Sequence, residues 1–174
     1  MKKLLLILII LTFFYGCAGH KCISGDCTNG QGVRIWSNGV KYEGHFKGSK
    51  LNGQGKVFWP NGDSYDGQWE NNKQNGQGRM TWSNGDSYEG QWKNGKKHGN
   101  GVWNLSAGDS YAGEFINGLP DGHGVVTSKA GQSEGQWKKG ALNGYGTIKT
   151  SNNSKYIGEF KDGLENGNGT FFYY

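Results

Sequence analysis

Catalytic motifs are what this chain lacks first. Among its 174 residues there is no Gly-x-x-x-x-Gly-Lys-Ser/Thr phosphate loop and no Gly-x-Ser-x-Gly nucleophile elbow, which removes the commonest nucleotide-hydrolysing and esterase sites. Paired glycines such as Gly99-Asn100-Gly101 lie between strand-like stretches, not between a strand and a helix, so they are no dinucleotide fingerprint. Cysteine is confined to Cys17, Cys22 and Cys27, and the histidines His45, His98 and His123 are scattered; no metal site and no cofactor is expected. Charge of one sign is also scarce. The formal net is +5, falling to +3 without Lys2 and Lys3, with acidic residues interspersed throughout, so no strong nucleic-acid-binding field is expected. Apolar residues never run far: Leu4 to Tyr15 is the longest stretch, too short to span a bilayer as a helix. No helical pattern follows it.

What is present is a repeat. Residues 42–64 read YEGHFKGSKLNGQGKVFWPNGDS, 65–87 read YDGQWENNKQNGQGRMTWSNGDS and 88–110 read YEGQWKNGKKHGNGVWNLSAGDS. Gly-x-Gly pairs recur at Gly30, Gly53, Gly76, Gly99, Gly122, Gly144 and Gly167, in steps of 23, 23, 23, 23, 22 and 23. Self-similarity at such a period dictates the architecture. The units are a half repeat at 28–41, then 42–64, 65–87, 88–110, 111–132, 133–155 and 156–174.

Within a unit, Tyr65, Gly67 and Trp69 alternate with Asp66, Gln68 and Glu70, the pattern of a half-buried strand. Asn71 to Gly76 is rich in turn formers. Met80 and Trp82 then share one side of a second strand, and Ser83-Asn84-Gly85-Asp86 is a second turn. Each unit therefore reads as a β-hairpin. A lone hairpin is barely stable in water, so tandem copies must share a surface. The fold expected is all-β: an elongated antiparallel sheet of tandem hairpins, solenoid-like with open edges, roughly 13 strands and on the order of 60 Å long. The 33 glycines have a steric role in that sheet, because aromatic rings can lie flat on a bare backbone. Ser128 and Thr150 stand where other units have apolar residues, so the sheet is expected to loosen towards its C-terminal half.

The N-terminus carries an address. Lys2 and Lys3 precede the apolar run, and Gly16-Cys17 follows it, the layout of a signal peptide over 1–16. A small residue before a Cys at this place resembles the bacterial lipobox, although Phe14 and Tyr15 depart from its usual residues. That resemblance implies cleavage before Cys17, acylation of Cys17 and a lipidated tether over 17–27. Ala18, in place of Asp, points to an outer membrane, facing the periplasm or the surface. The alternative is an ordinary secretory signal with Cys17 a stray thiol. With Cys17 lipidated, Cys22 and Cys27 remain as a pair available for a short disulfide in an oxidising compartment.

The pattern Tyr-x-Gly-x-Trp/Phe, a Gly-containing turn, Gly-x-Gly and a closing Gly-Asp resembles the MORN repeat over about 28–174, most closely in YEGQWKNGKKHGNGV at 88–102. The departures are Ser49 and Asn72 in the first turn, Ser133 for Tyr, and Asn153 for a late Gly. The resemblance implies an elongated antiparallel sheet acting as a non-enzymatic interaction scaffold. It also raises phospholipid binding, which has been proposed for some members.

Two uses remain. The first is an envelope-anchored scaffold engaging a protein partner through its aromatic face, with Trp59, Trp69, Trp82, Trp92, Trp103 and Trp137 as candidate contacts and the C-terminal edge open to homodimerisation. The second is binding of anionic phospholipid or glycan by those rings together with Lys47, Lys73, Lys93, Lys96, Lys97, Lys138 and Lys139. Carboxylates at Glu43, Asp66, Glu89 and Glu134 are expected to form a solvated row on the opposite face, or a strip for basic partners. Ring exposure discriminates: buried indoles cannot stack on a ligand, whereas an open apolar strip would mark a binding surface.

Overall fold

The computed structural model describes residues 19–173. Strands β1 (His20–Gly25), β2 (Gln31–Trp36), β3 (Lys41–Lys47), β4 (Lys50–Phe58), β5 (Ser64–Glu70), β6 (Lys73–Thr81) and β7 (Ser87–Lys93) form its first half. Strands β8 (Lys96–Asn104), β9 (Ser110–Ile116), β10 (Leu119–Ser128), β11 (Gly131–Lys138), β12 (Ala141–Thr150), β13 (Lys155–Lys161) and β14 (Leu164–Phe172) follow. They form one sheet in strict chain order, antiparallel throughout. At about 4.8 Å per step the fourteen strands span roughly 60 Å. The extra strand relative to the sequence reading is β1. It lies in the stretch read as part of the tether, and its sequence HKCISG carries no part of the 23-residue pattern.

Two turn types alternate along the sheet. Within each repeat the hairpin closes on two residues with positive φ, as at Asn94 (52°) and Gly95 (79°). That is the type I′ geometry whose twist matches the strands. Ser49 (φ 62°) and Asn72 (φ 69°) adopt it without being glycine. Asn72 is helped by its Oδ1, which accepts the Leu51 N–H at 2.8 Å. Between repeats the chain closes on three residues. Gly62 N–H donates to the Trp59 carbonyl and Trp59 N–H to the Asp63 carbonyl, both at 3.0 Å. The Asp63 carboxylate then accepts the Ser83 N–H of the next turn at 2.8 Å, as Asp86 does from Ser106. These bonds hold both carboxyls below their ordinary range and tie successive turns together. The connection from β10 to β11 is shorter, with Ser128 paired to Gly131. That deletion is the single 22-residue step.

A row of glycines crosses the sheet. Gly32 pairs with Gly44, Gly44 with Gly55, Gly55 with Gly67 and Gly67 with Gly78. The row continues without a break through Gly158 and Gly169. Its steric purpose is visible at the even strand of each repeat that opens with tyrosine. A Cβ on Gly55 would lie 2.1 Å from the Tyr42 hydroxyl, and one on Gly78 2.2 Å from that of Tyr65. Each tyrosine ring thus lies on the bare backbone of the following strand. Its hydroxyl donates to the carbonyl three residues on: His45 at 2.8 Å for Tyr42, Gln91 at 2.9 Å for Tyr88 and Glu114 at 3.0 Å for Tyr111. Burial raises these phenols, Tyr42 and Tyr88 to about 12.

The other aromatics stand edge-on to the tyrosines. Tyr65 meets Trp69 of its own strand at 5.0 Å and Trp92 of the next repeat at 5.4 Å, and Tyr88 meets Trp92 and Phe115 at 5.2 and 5.1 Å. Such pairs contribute about 0.5–1.5 kcal/mol each beyond burial. The chain of contacts is what joins one repeat to the next. It ends where Ser133 replaces the tyrosine. The main core runs from Cys27 to Phe115, and a second, small core of Leu142, Tyr156 and Phe160 lies beyond, with Trp137 packed against both. The looser C-terminal half therefore starts at Ser133.

Candidate functional site

The strand alternation puts the indoles and the repeat tyrosines on one face, and the structure separates them by depth. Trp69 and Trp92 are only 6% and 7% exposed, and their Nε1 atoms donate to the Gly55 and Gly78 carbonyls at 3.0 Å. Trp137 is half-buried and donates to Gly124 at 2.8 Å. These three indoles are held as core. Trp59 and Trp82, where the strand enters the inter-repeat turn, are also partly buried and packed against the core, and no hydrogen bond of their indole N–H is seen among the described residues. Trp36 occupies the same place in the half repeat. The result is a step-like row Trp36, Trp59, Trp82 with Leu105 next in line, all partly exposed.

Trp103 lies one position further in. The Lys97 ammonium sits 3.4 Å from its ring centroid, with Tyr88 and Phe115 at 5.6 and 5.3 Å. Desolvation lowers Lys97 to about 8, partly offset by Asp86. Lys97 therefore leaves the basic margin in which the sequence placed it, because it pairs with Trp92 on the ring face. Lys47, Lys73, Lys93, Lys96, Lys138 and Lys139 remain exposed around the hairpin ends.

A second inward cation, Arg34, was not foreseen. It occupies the β2 slot that holds Val57 in β4 and Met80 in β6, and is 7% exposed. Its guanidinium donates to the Ser49 carbonyl at 2.9 Å and to that of Cys27 and lies 4.5 Å over the Phe46 ring. Cys22 and Cys27 are joined in a disulfide with Cα atoms 5.9 Å apart, which places the Cys27 carbonyl against Arg34. Arg34, Trp36, Trp59, Trp69, Leu51 and Val57 line a groove of about 420 Å³ on the ring face. Cys17 and the 1–16 segment lie outside the described residues.

The opposite face is mainly polar, with Phe58, Val102 and Tyr145 exposed on it. Glu43, Asp66, Glu89 and Glu134 lie there, each beside a base: Lys41 at 3.5 Å, Lys56 at 3.1 Å, Arg79 at 3.7 Å and His123 at 3.9 Å. Exposed pairs of this kind contribute little to stability, but they offset the acidic row. Open troughs of about 520, 250 and 640 Å³ run along the glycine row on this side. Among the described residues no group of three His, Cys, Asp or Glu is placed to hold a metal, and no helix is long and apolar enough to cross a membrane.

A family model described as MORN repeat matches residues 28–41, 42–64, 65–87, 88–110, 111–133, 134–155 and 156–174. No curated protein matches the chain.

Proposed function

The chain belongs to the MORN repeat family, a family of generally non-catalytic repeats commonly involved in protein or membrane binding, and from that premise we propose that it is an envelope-anchored scaffold that binds a protein partner on its ring face. The observation carrying this reading is the row Trp36, Trp59, Trp82. Large apolar side chains left partly uncovered in register along a sheet support an interaction surface, and Trp is enriched among residues that dominate binding energy. The anchor in this proposal is Cys17, acylated after removal of 1–16, with the sheet held at an outer membrane. Pull-down from detergent-solubilised envelopes with the full chain tests it. Trp59→Ala/Trp82→Ala should lose the specific partner, while Lys56→Ala/Arg79→Ala on the polar face should retain it. Retention by the tryptophan variant would sink the reading. Metabolic labelling with a fatty-acid analogue, lost in Cys17→Ser, tests the anchor.

The basic margin supports one other reading, an anionic phospholipid or glycan as ligand. Flotation of the Cys17→Ser chain with phosphatidylglycerol vesicles that weakens as salt is raised, and is unchanged in the tryptophan variant, would favour it. The outer edge of β14 is exposed along its whole length, with Leu164, Phe171 and Phe172 on it. Pairing with a second copy through that edge is part of the proposal, and concentration-dependent sedimentation of the full chain checks it.

A further inference from the structure

Arg34 is a buried charge without a counter-ion. Of its five N–H groups, one meets the Ser49 carbonyl and one the Cys27 carbonyl, and Nε is buried with no partner at all. No carboxylate lies within ion-pair distance among the described residues, and residues 1–18 contain no Asp or Glu that could supply one. Buried charges are costly unless paired. The contrast with Lys97 sharpens the point. Lys97 can shed its proton, and its value has fallen to about 8. A guanidinium cannot do so within the stable range of the protein. Equivalent slots in other repeats hold Val57, Met80 or Ile148, so the fold does not need a cation there. The rings of Phe46 and Trp36, at 4.5 and 5.8 Å from the guanidinium carbon, give only partial compensation.

The surroundings define the missing group. Arg34 stands in the wall of the 420 Å³ groove, where Val40, Leu51, Val57 and three indoles alternate with His20, Asn38, Ser49 and Asn72, and the partly buried Trp36 and Trp59 lie beside it. A space of that size takes one or two side chains. One guanidinium matches one carboxylate, in geometry and in charge. A phosphate-bearing lipid headgroup would call for more than one permanent cation, and among the described lining residues Arg34 is the one Lys or Arg, with His20 the other basic side chain.

We propose that this groove receives a segment of a partner protein in which an Asp or Glu neighbours a bulky apolar residue: Arg34 takes the carboxylate, and Trp36 and Trp59 take the apolar side chain. The proposal rests on the ring face being the partner-binding face, and it names the chemistry the partner must carry. The charge-assisted bond supplies specificity, because a Gln in place of Glu leaves the cation uncompensated.

Blocked dipeptides serve as probes: N-acetyl-Trp-Glu-amide against N-acetyl-Trp-Gln-amide, titrated to millimolar concentration into the ¹⁵N-labelled full chain in detergent. The Arg34 Nε–H and the indole N–H signals of Trp36 and Trp59 are followed by NMR. The Glu peptide should shift all three saturably, and the Gln peptide should bind at least about ten-fold more weakly. Arg34→Met should abolish that preference while keeping the melting temperature at or above that of the parent, since Met80 already fills the equivalent slot. Equal binding of the two peptides overturns the proposal. So does an Arg34→Met protein that melts lower and still prefers Glu, for Arg34 would then be only a structural bracket. Shifts produced by phosphatidylglycerol vesicles and not by the Glu peptide overturn it in favour of a lipid. The envelope pull-down is independent of these titrations: loss of partner in the tryptophan variant, with no peptide preference, would leave the scaffold reading standing and remove this site alone.

Discussion

Gly78→Ala tests the steric logic of the sheet at one atom. The added methyl would lie 2.2 Å from the Tyr65 hydroxyl oxygen, 2.5 Å from Cζ and 2.8 Å from Cε2. A buried ring held on both sides cannot swing away cheaply. Displacing it loses the hydrogen bond to Gln68, 3.1 Å long and contributing about 1 kcal/mol. It also disturbs the edge-to-face contacts with Trp69 and Trp92, about 1.5 kcal/mol for the two together, and adds overpacking strain of about 1 kcal/mol. The smaller entropy of an unfolded Ala chain returns about 0.5 kcal/mol, leaving a net loss near 3 kcal/mol, or about 6–12 °C in melting temperature for a chain of this size. Gly146 is the control, because it lies in the same glycine row but belongs to the repeat with Ser133. Its added methyl would meet the Glu134 carbonyl at 2.8 Å, Leu142 at 3.2 Å and the Phe160 ring edge at 3.4 Å, with no tyrosine ring beneath it. Gly146→Ala should lose about 1 kcal/mol. Tyr65→Ser copies Ser133 and should make Gly78→Ala equally mild, giving a coupling of about 2 kcal/mol in a double-mutant cycle. Urea unfolding gives the global values. Hydrogen exchange of β5 to β7 amides reports the local loss in a chain of stacked units. Equal losses at 78 and 146, or a cycle additive to within about 0.5 kcal/mol, would refute the reasoning.

Other outcomes follow from single features. Ser49→Gly should stabilise the protein by about 0.5–1 kcal/mol, because Ser49 holds φ 62° against the preference of a side-chain-bearing residue; a melting curve checks it. Lys97 is lowered to about 8 by desolvation, so between pH 8 and its unfolded value near 10.5 the unfolded chain binds more protons and stability rises with pH. The phenols titrate the other way, so stability falls as pH rises above about 10, the tyrosine value in an unfolded chain. A pH series of urea midpoints should therefore rise through pH 9 in the parent, and Lys97→Met should flatten that rise. Reduction of Cys22–Cys27 releases a short loop and should cost about 2 kcal/mol, felt as faster amide exchange in β1 and β2 and unchanged exchange beyond β5. Trp69→Phe should cost only about 1 kcal/mol, the loss of the Gly55 hydrogen bond, since Phe46 and Phe115 fill the same slot elsewhere.

The fold was legible because period, alternation and turn residues all pointed the same way. Tyr65-x-Gly67-x-Trp69 set the face, and Asn-Gly and Pro-Asn-Gly set the turns. Even the shortened step at Gly122 to Gly144 marked the reduced loop at Lys129-Ala130. The half repeat was another matter. His20 to Gly25 carries neither a Tyr, Trp or Phe nor the glycine spacing, so β1 is recruited by pairing with β2 and by the disulfide, neither of which the repeat pattern encodes. Arg34 was hidden for the same reason, since its inward slot is clear only when QGVRIW is aligned on QGKVFW. Lys97 had a readable signal. Counted outward from the type I′ pair Asn94-Gly95, Lys96 opposes Lys93 and Lys97 opposes Trp92, which turns Lys97 inward. The alternation put every indole on one face, and it could not rank their depth. Trp69, near the end of β5, is flanked by the Tyr42 and Tyr65 rings, whereas Trp59 borders a turn with no such ring pair.

Hydroxyl-radical footprinting of the full chain, in native envelopes and then purified in detergent, tests most directly whether the ring face is the one that is covered. Trp36, Trp59 and Trp82 report that face, and Tyr145, 65% exposed on the polar face, reports the other. Oxidation of the three tryptophans should fall several-fold in the envelope while Tyr145 stays unchanged. Undiminished tryptophan oxidation, or protection of Tyr145 in their place, would contradict a partner seated on the rings.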